Sequence, residues 1–209
     1  MDTISKKELL ESCQTGDILL YNGQSVISRV IEYATNSSYS HVSIILRDPT
    51  YIDPTLKGLY ILESGMENIP DSLTGKKVIG VQITPLEHAI DYYKDAWVGG
   101  LYYRKLKCER NEEFKNKIKT IVKKTEGVKY DLYLLDWIRA AFDLHIGNVQ
   151  ITKRFWCSAL VAYIFVELGF LDKELGWSLI APKRFSFNEN ERLSYINCLV
   201  EKEKLVNKI

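Results

Sequence analysis

The stretch RFWCSALVAYIFVELG (residues 154–169) sets a single cysteine, Cys157, directly before an almost unbroken apolar run. Ser158 to Leu168 spans about three helical turns and carries one charge, Glu167, so it reads as a buried helix. Cys157 then stands where that helix begins. Unpaired backbone N–H groups and the macrodipole at a helix N-terminus favour a thiolate, the nucleophilic form of cysteine. The same amides can bind the oxyanion of a tetrahedral intermediate. The apolar helix behind would fix the thiol by packing. Free cysteines are also commonly buried and inert, so the local pattern leaves a packing role open beside a catalytic one.

The totals narrow the classes. At 209 residues the chain suits one compact domain over 1–209, with a core at about 15–182 and a charged tail. It is 46% hydrophobic and 26% charged, with a formal net charge of +1. That balance gives no support to a nucleic-acid partner, which calls for a strong basic excess. Thirteen tyrosines and four tryptophans fit core and cleft packing, and amphipathic aromatics also suit a surface that meets a lipid or acyl chain. The opening MDTISKKELLESC is charged throughout and lacks the apolar segment of a secretory signal. No uninterrupted apolar run reaches the length of about 18 residues that a transmembrane helix needs; peripheral membrane contact stays open. Cys13, Cys108, Cys157 and Cys198 are scattered without a CxxC pair, which argues against a zinc knuckle or a disulfide framework and fits a reducing compartment. The expectation is a soluble, cytoplasmic protein; its oligomeric state is not encoded in any motif.

Working outward from Cys157, the chain reads as strands followed by helices. Ser5 to Ser12 predicts a short helix capped by Ser5, and GDILLY a Gly-Asp turn running into a strand, with Asp17 shaping the turn. Val26, Ile27, Val30, Ile31 and Ala34 recur at helical spacing. HVSIILRD and LYILES alternate with period two, and KVIGVQI and WVGGLYYRKL read as two more strands. Between these, TPLEHAIDYY predicts a helix with Thr84 as N-cap, Pro85 at its first position and Glu87 closing the box. Phe114, Ile118, Ile121, Val122 and Thr125 predict a surface helix over 111–125, and Leu132 to Phe142 a further helix. EKEKLVNKI reads as an exposed charged end. The fold class is α+β, a mainly antiparallel sheet packed against helices.

Only three histidines can serve as a base for Cys157. His88 falls within a helix as a surface or packing residue, and His145 follows an apolar helix as a cap or turn residue. His41 opens a strand after a polar loop, on the face opposite Val42 and Leu46. If HVSIIL and LYILES pair antiparallel, the start of the first lies beside the end of the second. His41 and Glu63 then share one end of the sheet. A carboxylate there can fix the imidazole's tautomer and orientation, completing a nucleophile–base–orienter set. The blander readings are a half-buried hydrogen-bonded histidine and a solvent-facing strand-end glutamate.

TGDILLY, YSHVSIIL, YILES and FWCSALVAYIF, in that order, resemble the circularly permuted branch of the NlpC/P60 papain-like superfamily, with the nearest likeness to the bacterial YiiX/YaeF-like proteins and their poxvirus relatives. In ordinary papain-like enzymes the nucleophile precedes the histidine; here His41 comes first. The resemblance implies a permuted papain-like fold, with Cys157 as nucleophile, His41 as base and Glu63 as polar third member. EGVKYDL is similar to a G-x-x-Y-D stretch of the family, which draws Tyr130 toward the cleft. Tyr21, Ser40 and Trp156 are the other cleft candidates. The helix reads CSALV where many relatives have CSELV, so Ala159 stands in place of an acidic residue.

The chemistry so implied is attack of a Cys157 thiolate on an amide or ester carbonyl, with lipid- or acyl-linked substrates among those the resemblance admits, leaving an acyl-thioester. Water as acceptor makes a hydrolase, an amine or alcohol an acyltransferase. A peptidoglycan-peptide amidase is a second reading, and a catalytically silent binding or scaffold protein a third. No cofactor is implied, since neither a phosphate loop nor a dinucleotide fingerprint occurs. Nor is a metal, since no paired-ligand spacing appears.

Overall fold

The computed structural model describes residues 2–22, 39–65, 69–96, 100–130 and 154–207, with the backbone alone at 92–96, 130 and 154. Period-two alternation builds its central strands: β2 (Ile18–Asn22), β3 (His41–Arg47), β4 (Leu59–Gly65), β5 (Gly80–Pro85) and β6 (Gly100–Arg104). Shorter strands complete the set: β1 (Thr3–Ser5), β7 (Leu106–Lys107), β8 (Lys129–Tyr130), β9 (Arg154–Phe155), β10 (Leu199–Val200) and β11 (Lys204–Asn207). Nine of them form one sheet in the order β1-β11-β6-β2-β3-β4-β5-β8-β9, and β7 pairs with β10 apart from it. The outermost pairs, β1 with β11 and β8 with β9, are parallel, and the others are antiparallel.

Helices cover both faces. The helices α3 (Glu112–Thr125) and α4 (Cys157–Leu168) share a core with Val42, Ile44, Leu46, Leu62 and Ile83. On the opposite face, α1 (Lys6–Ser12) and α2 (Leu86–Ala96) pack with Leu19, Tyr21, Ile45 and Ile61. The predicted stripe of α3 is buried at all five positions, and the Asn111 side chain caps it by accepting from the Phe114 N–H at 3.0 Å. Ser5 caps α1 as expected, accepting from the Glu8 N–H at 3.1 Å. Arg47 reaches the other end of α1 and donates to the carbonyls of Leu10 and Cys13 at 2.7 and 2.5 Å, a cation on the negative end of the helix. Helix α4 is buried on every side except Glu167 and stops at Gly169, whose φ of 79° only glycine adopts cheaply.

Asp17 does shape its turn. Its carboxylate accepts from the Gln14 and Leu106 N–H groups at 2.8 and 2.9 Å and from the Tyr103 hydroxyl at 2.6 Å. Two expectations are corrected. Thr84 and Pro85 do not cap α2; they end β5, where Pro85 pairs with Tyr60 and Thr84 with Ile61. The local Thr-Pro-x-Glu signal is overridden by the ladder to β4, which continues the alternation of Val81 to Thr84. The charged end is no free tail either. Residues 204–207 form β11, inserted between β1 and β6, with Glu203 and Val206 buried. The predicted helices around 26–34 and 132–142 fall outside the described residues, as does His145.

Candidate active site

Strand register decides which side chains meet at the His41 end of the sheet. Tyr21 pairs with His41 across β2 and β3, Ile44 with Leu62 across β3 and β4, and Glu63 with Gln82 across β4 and β5. Alternation then puts Tyr21, His41, Ser43, Glu63, Gln82 and Thr84 on one face. The His41 Nε2–H donates to Glu63 Oε2 at 2.7 Å, with His41 5% exposed and Glu63 fully buried. The solvent-facing reading of Glu63 is therefore wrong. Its second oxygen accepts from Gln82 Nε2 at 3.2 Å and from Thr84 Oγ1 at 3.5 Å. Such a carboxylate is oriented from both sides, which a buried charge requires.

Cys157 completes the group from the other direction. It is 4% exposed at the first position of α4, on the face that α3 and α4 cover and that receives Val42. His41 opens β3, so the end of the strand is where thiol and ring can meet. The Cys157 side chain hydrogen-bonds the imidazole there. With Nε2 committed to Glu63, the ring nitrogen left for sulfur is Nδ1. Burial pushes the His41 pKa down, but the Cys157 charge and hydrogen bond, followed by those of Glu63, outweigh it. The result is an imidazole held well above its ordinary range.

Two neighbours fix this pair. Ser64, on the opposite face from Glu63, donates its hydroxyl to the Phe155 carbonyl at 2.6 Å. That bond ties β4 to the residue two before Cys157. Trp156, buried, is the N-cap residue of α4 and contributes no side-chain cap to the first-turn amides. Tyr21 is buried, with its hydroxyl 2.8 Å from Ser43 Oγ and its ring 5.0 Å from that of His41. Ser40 donates through its amide and hydroxyl to the Tyr21 carbonyl at 2.9 and 3.3 Å, anchoring the entry to β3. Tyr130 lies on β8 with its backbone opposite Phe155 of β9; its side chain is outside the described residues. His88 is exposed on α2.

Sequence reading missed Gln82, Thr84 and Ser64. A signal existed for the first two: VQIT alternates, and that period puts Gln82 and Thr84 on one face. Among the described residues no group of three or more His, Cys, Asp or Glu side chains is placed to hold a metal ion. No described helix is long and apolar enough to cross a membrane.

No protein-family model and no curated protein matches this chain. Among solved structures, the crystal structure of metalloprotein yiiX from Escherichia coli O157:H7 (DUF1105) is similar, with a TM-score of 0.50 and 22% identity over 94% of this chain and 98% of that one. The likeness is one of fold: this chain has the α+β architecture of a YiiX-like protein.

Proposed function

We propose that the protein is a thiol-dependent hydrolase or acyltransferase on a permuted papain-like fold, working through an acyl-thioester on Cys157. One observation carries this reading: a buried imidazole that is hydrogen-bonded to a carboxylate through Nε2 and to a helix-opening thiol through its other side. His41 takes the Cys157 proton, and the thiolate attacks an amide or ester carbonyl. The first-turn amides of α4 stabilise the oxyanion. Imidazolium then protonates the leaving amine or alcohol as the C–N or C–O bond breaks. In the second half His41 removes a proton from water, an amine or an alcohol, whose attack releases the acyl group and returns the thiol. Glu63 holds the ring tautomer through both halves. The family resemblance supports two substrate classes, lipid- or acyl-linked groups and peptide-like amides.

The solved neighbour is described as a metalloprotein. The described donors of this chain do not gather into a metal site, since Glu63 is spent on His41, Gln82 and Thr84.

The test is the rate of Cys157 alkylation by iodoacetamide against pH, read by mass spectrometry, with Cys13, Cys108 and Cys198 as internal references. Fast labelling of Cys157 well below pH ~8.5, the ordinary thiol range, and its loss in His41→Ala are expected. Labelling no faster than at Cys108, and indifferent to His41, would sink the catalytic reading.

A further inference from the structure

Two of the remaining cysteines are far apart in sequence and opposed in space. Strands β7 and β10 pair antiparallel with Leu106 opposite Val200 and Lys107 opposite Leu199. The next residue beyond the ladder is a cysteine on each side, Cys108 after Lys107 and Cys198 before Leu199, so the register carried one step further would set them side by side. The Glu201 N–H donates to the Lys105 carbonyl at 2.9 Å, which makes 105 and 201 a hydrogen-bonded pair. Carried past its last pair, the alternation would make 108 and 198 a non-hydrogen-bonded pair, the kind whose Cα atoms stand about 4.5 Å apart. A disulfide needs Cα atoms about 4.4–6.8 Å apart, a span that includes such a pair.

A second observation is independent of the ladder. Burial and then the charge of Cys108 push the Cys198 thiol up to about 12, in keeping with the two residues lying at the same end of the β7–β10 pair. Both cysteines are free and half-buried against the same core. Ile196 and Leu199, on either side of Cys198, are 45% and 58% exposed, so a small reagent reaches the pair without unfolding. Arg110 donates to the Cys108 carbonyl at 3.3 Å and sets a guanidinium beside that thiol. Its charge opposes the upward shift that burial imposes on Cys108.

We propose that Cys108 and Cys198 are a redox-active dithiol that closes to a reversible disulfide, clamping β10 onto β7, by exchange with a low-molecular-weight disulfide such as glutathione disulfide. The Cys108 thiolate attacks one sulfur of glutathione disulfide, forming a mixed disulfide and releasing one glutathione thiolate. The Cys198 thiolate then attacks the Cys108 sulfur, and the second glutathione leaves. The protein loses two electrons and two protons, and the small disulfide gains them as two thiols. The bond closes a loop of about 90 residues, a length at which a crosslink strongly restricts the unfolded chain. It stands apart from Cys157 and does not depend on the catalytic reading.

The experiment equilibrates the full chain anaerobically in glutathione buffers of graded oxidised-to-reduced ratio, quenches with acid, alkylates remaining thiols in denaturant and maps unreduced peptides by mass. One linked peptide pair joining Cys108 to Cys198 is expected, growing with the oxidised fraction, reversed by excess reduced glutathione and raising Tm by several degrees. It disappears in Cys108→Ala and in Cys198→Ala. At the most oxidising ratio, glutathione adducts alone, no loss of thiols, or a bond from either residue to Cys13 or Cys157 would each overturn the proposal.

Discussion

Glu63 meets His41 on one carboxylate oxygen and Gln82 and Thr84 on the other, all inside the sheet. Its charge and hydrogen bond are among the causes that hold the His41 imidazolium above its ordinary range. A base raised on folding contributes stability that is full below its unfolded pKa, about 6.5, and is lost as pH rises through the folded value. Stability is therefore expected to decline as pH rises from about 6.5 toward the folded value, and to level off above it, as read by urea midpoints across pH. Glu63→Gln keeps the shape and removes the charge, so the His41 pKa falls. On the proposed mechanism, the alkaline limb of the pH profile for turnover of an acyl ester should move to lower pH, and turnover itself should drop on the order of 10²–10⁴-fold. A limb that stays in place would mean that Glu63 does not set the protonation of His41. At this scale the sequence was readable where one strand pairing governs it: His41 and Glu63 follow from the ends of HVSIIL and LYILES. Gln82 and Thr84 need a third strand in register, and no local pattern supplies that.

At the scale of elements, the catalytic-helix reading depends on how firmly α4 is placed against the sheet. Ser64 bonds the Phe155 carbonyl, so β4 carries both Glu63 and the anchor of the segment entering α4. Ser64→Ala leaves that buried carbonyl without its side-chain donor, at a cost of about 1–3 kcal/mol in a denaturant titration. Cys157 labelling should slow while its pH limbs stay put, because the misplacement is geometric. Close approach of another kind lies nearby: a Cβ on Gly80, at φ +148°, would stand 2.2 Å from the Val128 carbonyl oxygen. Helices with an unambiguous period, such as Phe114 to Thr125, were legible. The Thr84-Pro85 cap was not, since a helix-start signature and a strand alternation overlap on the same residues and only the partner strand decides. Residues 204–207 looked exposed because Leu205 and Val206 sit in a run otherwise made of lysine, glutamate and asparagine, while pairing with residues about 100 positions away is invisible locally.

Across the whole molecule, a second buried polar cluster fastens the late part of the chain. Arg104 and Glu203 lie 3.8 Å apart, both nearly inaccessible. Arg104 donates to the backbone carbonyls of Phe185, Val200 and Glu201. Glu203 accepts from Ser186, Asn188 and the Phe187 N–H at 2.5, 2.8 and 3.0 Å, and from the Tyr39 hydroxyl at 3.4 Å, two residues before His41. Burial pushes the Glu203 carboxyl up, but these hydrogen bonds and the Arg104 charge outweigh it and hold it below its ordinary range. The sign is opposite to that of His41: this stability is present above the unfolded carboxyl pKa and is lost as pH falls through the depressed value. Glu203→Ala, which strands a buried guanidinium, is expected to cost about 3–5 kcal/mol and to flatten the acid side of the stability profile. An unchanged acid side would show that other carboxylates govern it.

The placement of β11 between β1 and β6 bears on how the protein is made. A ribosome delivers residues 3–5 and 100–104 long before residues 204–207, so the sheet stays split at that slot during synthesis, with β1 and the free side of β6 holding unpaired backbone groups. Two open strand edges on a nascent chain invite pairing with neighbours, and closing the gap last, over a sequence separation of about 100 residues, makes folding slow for a domain of this size.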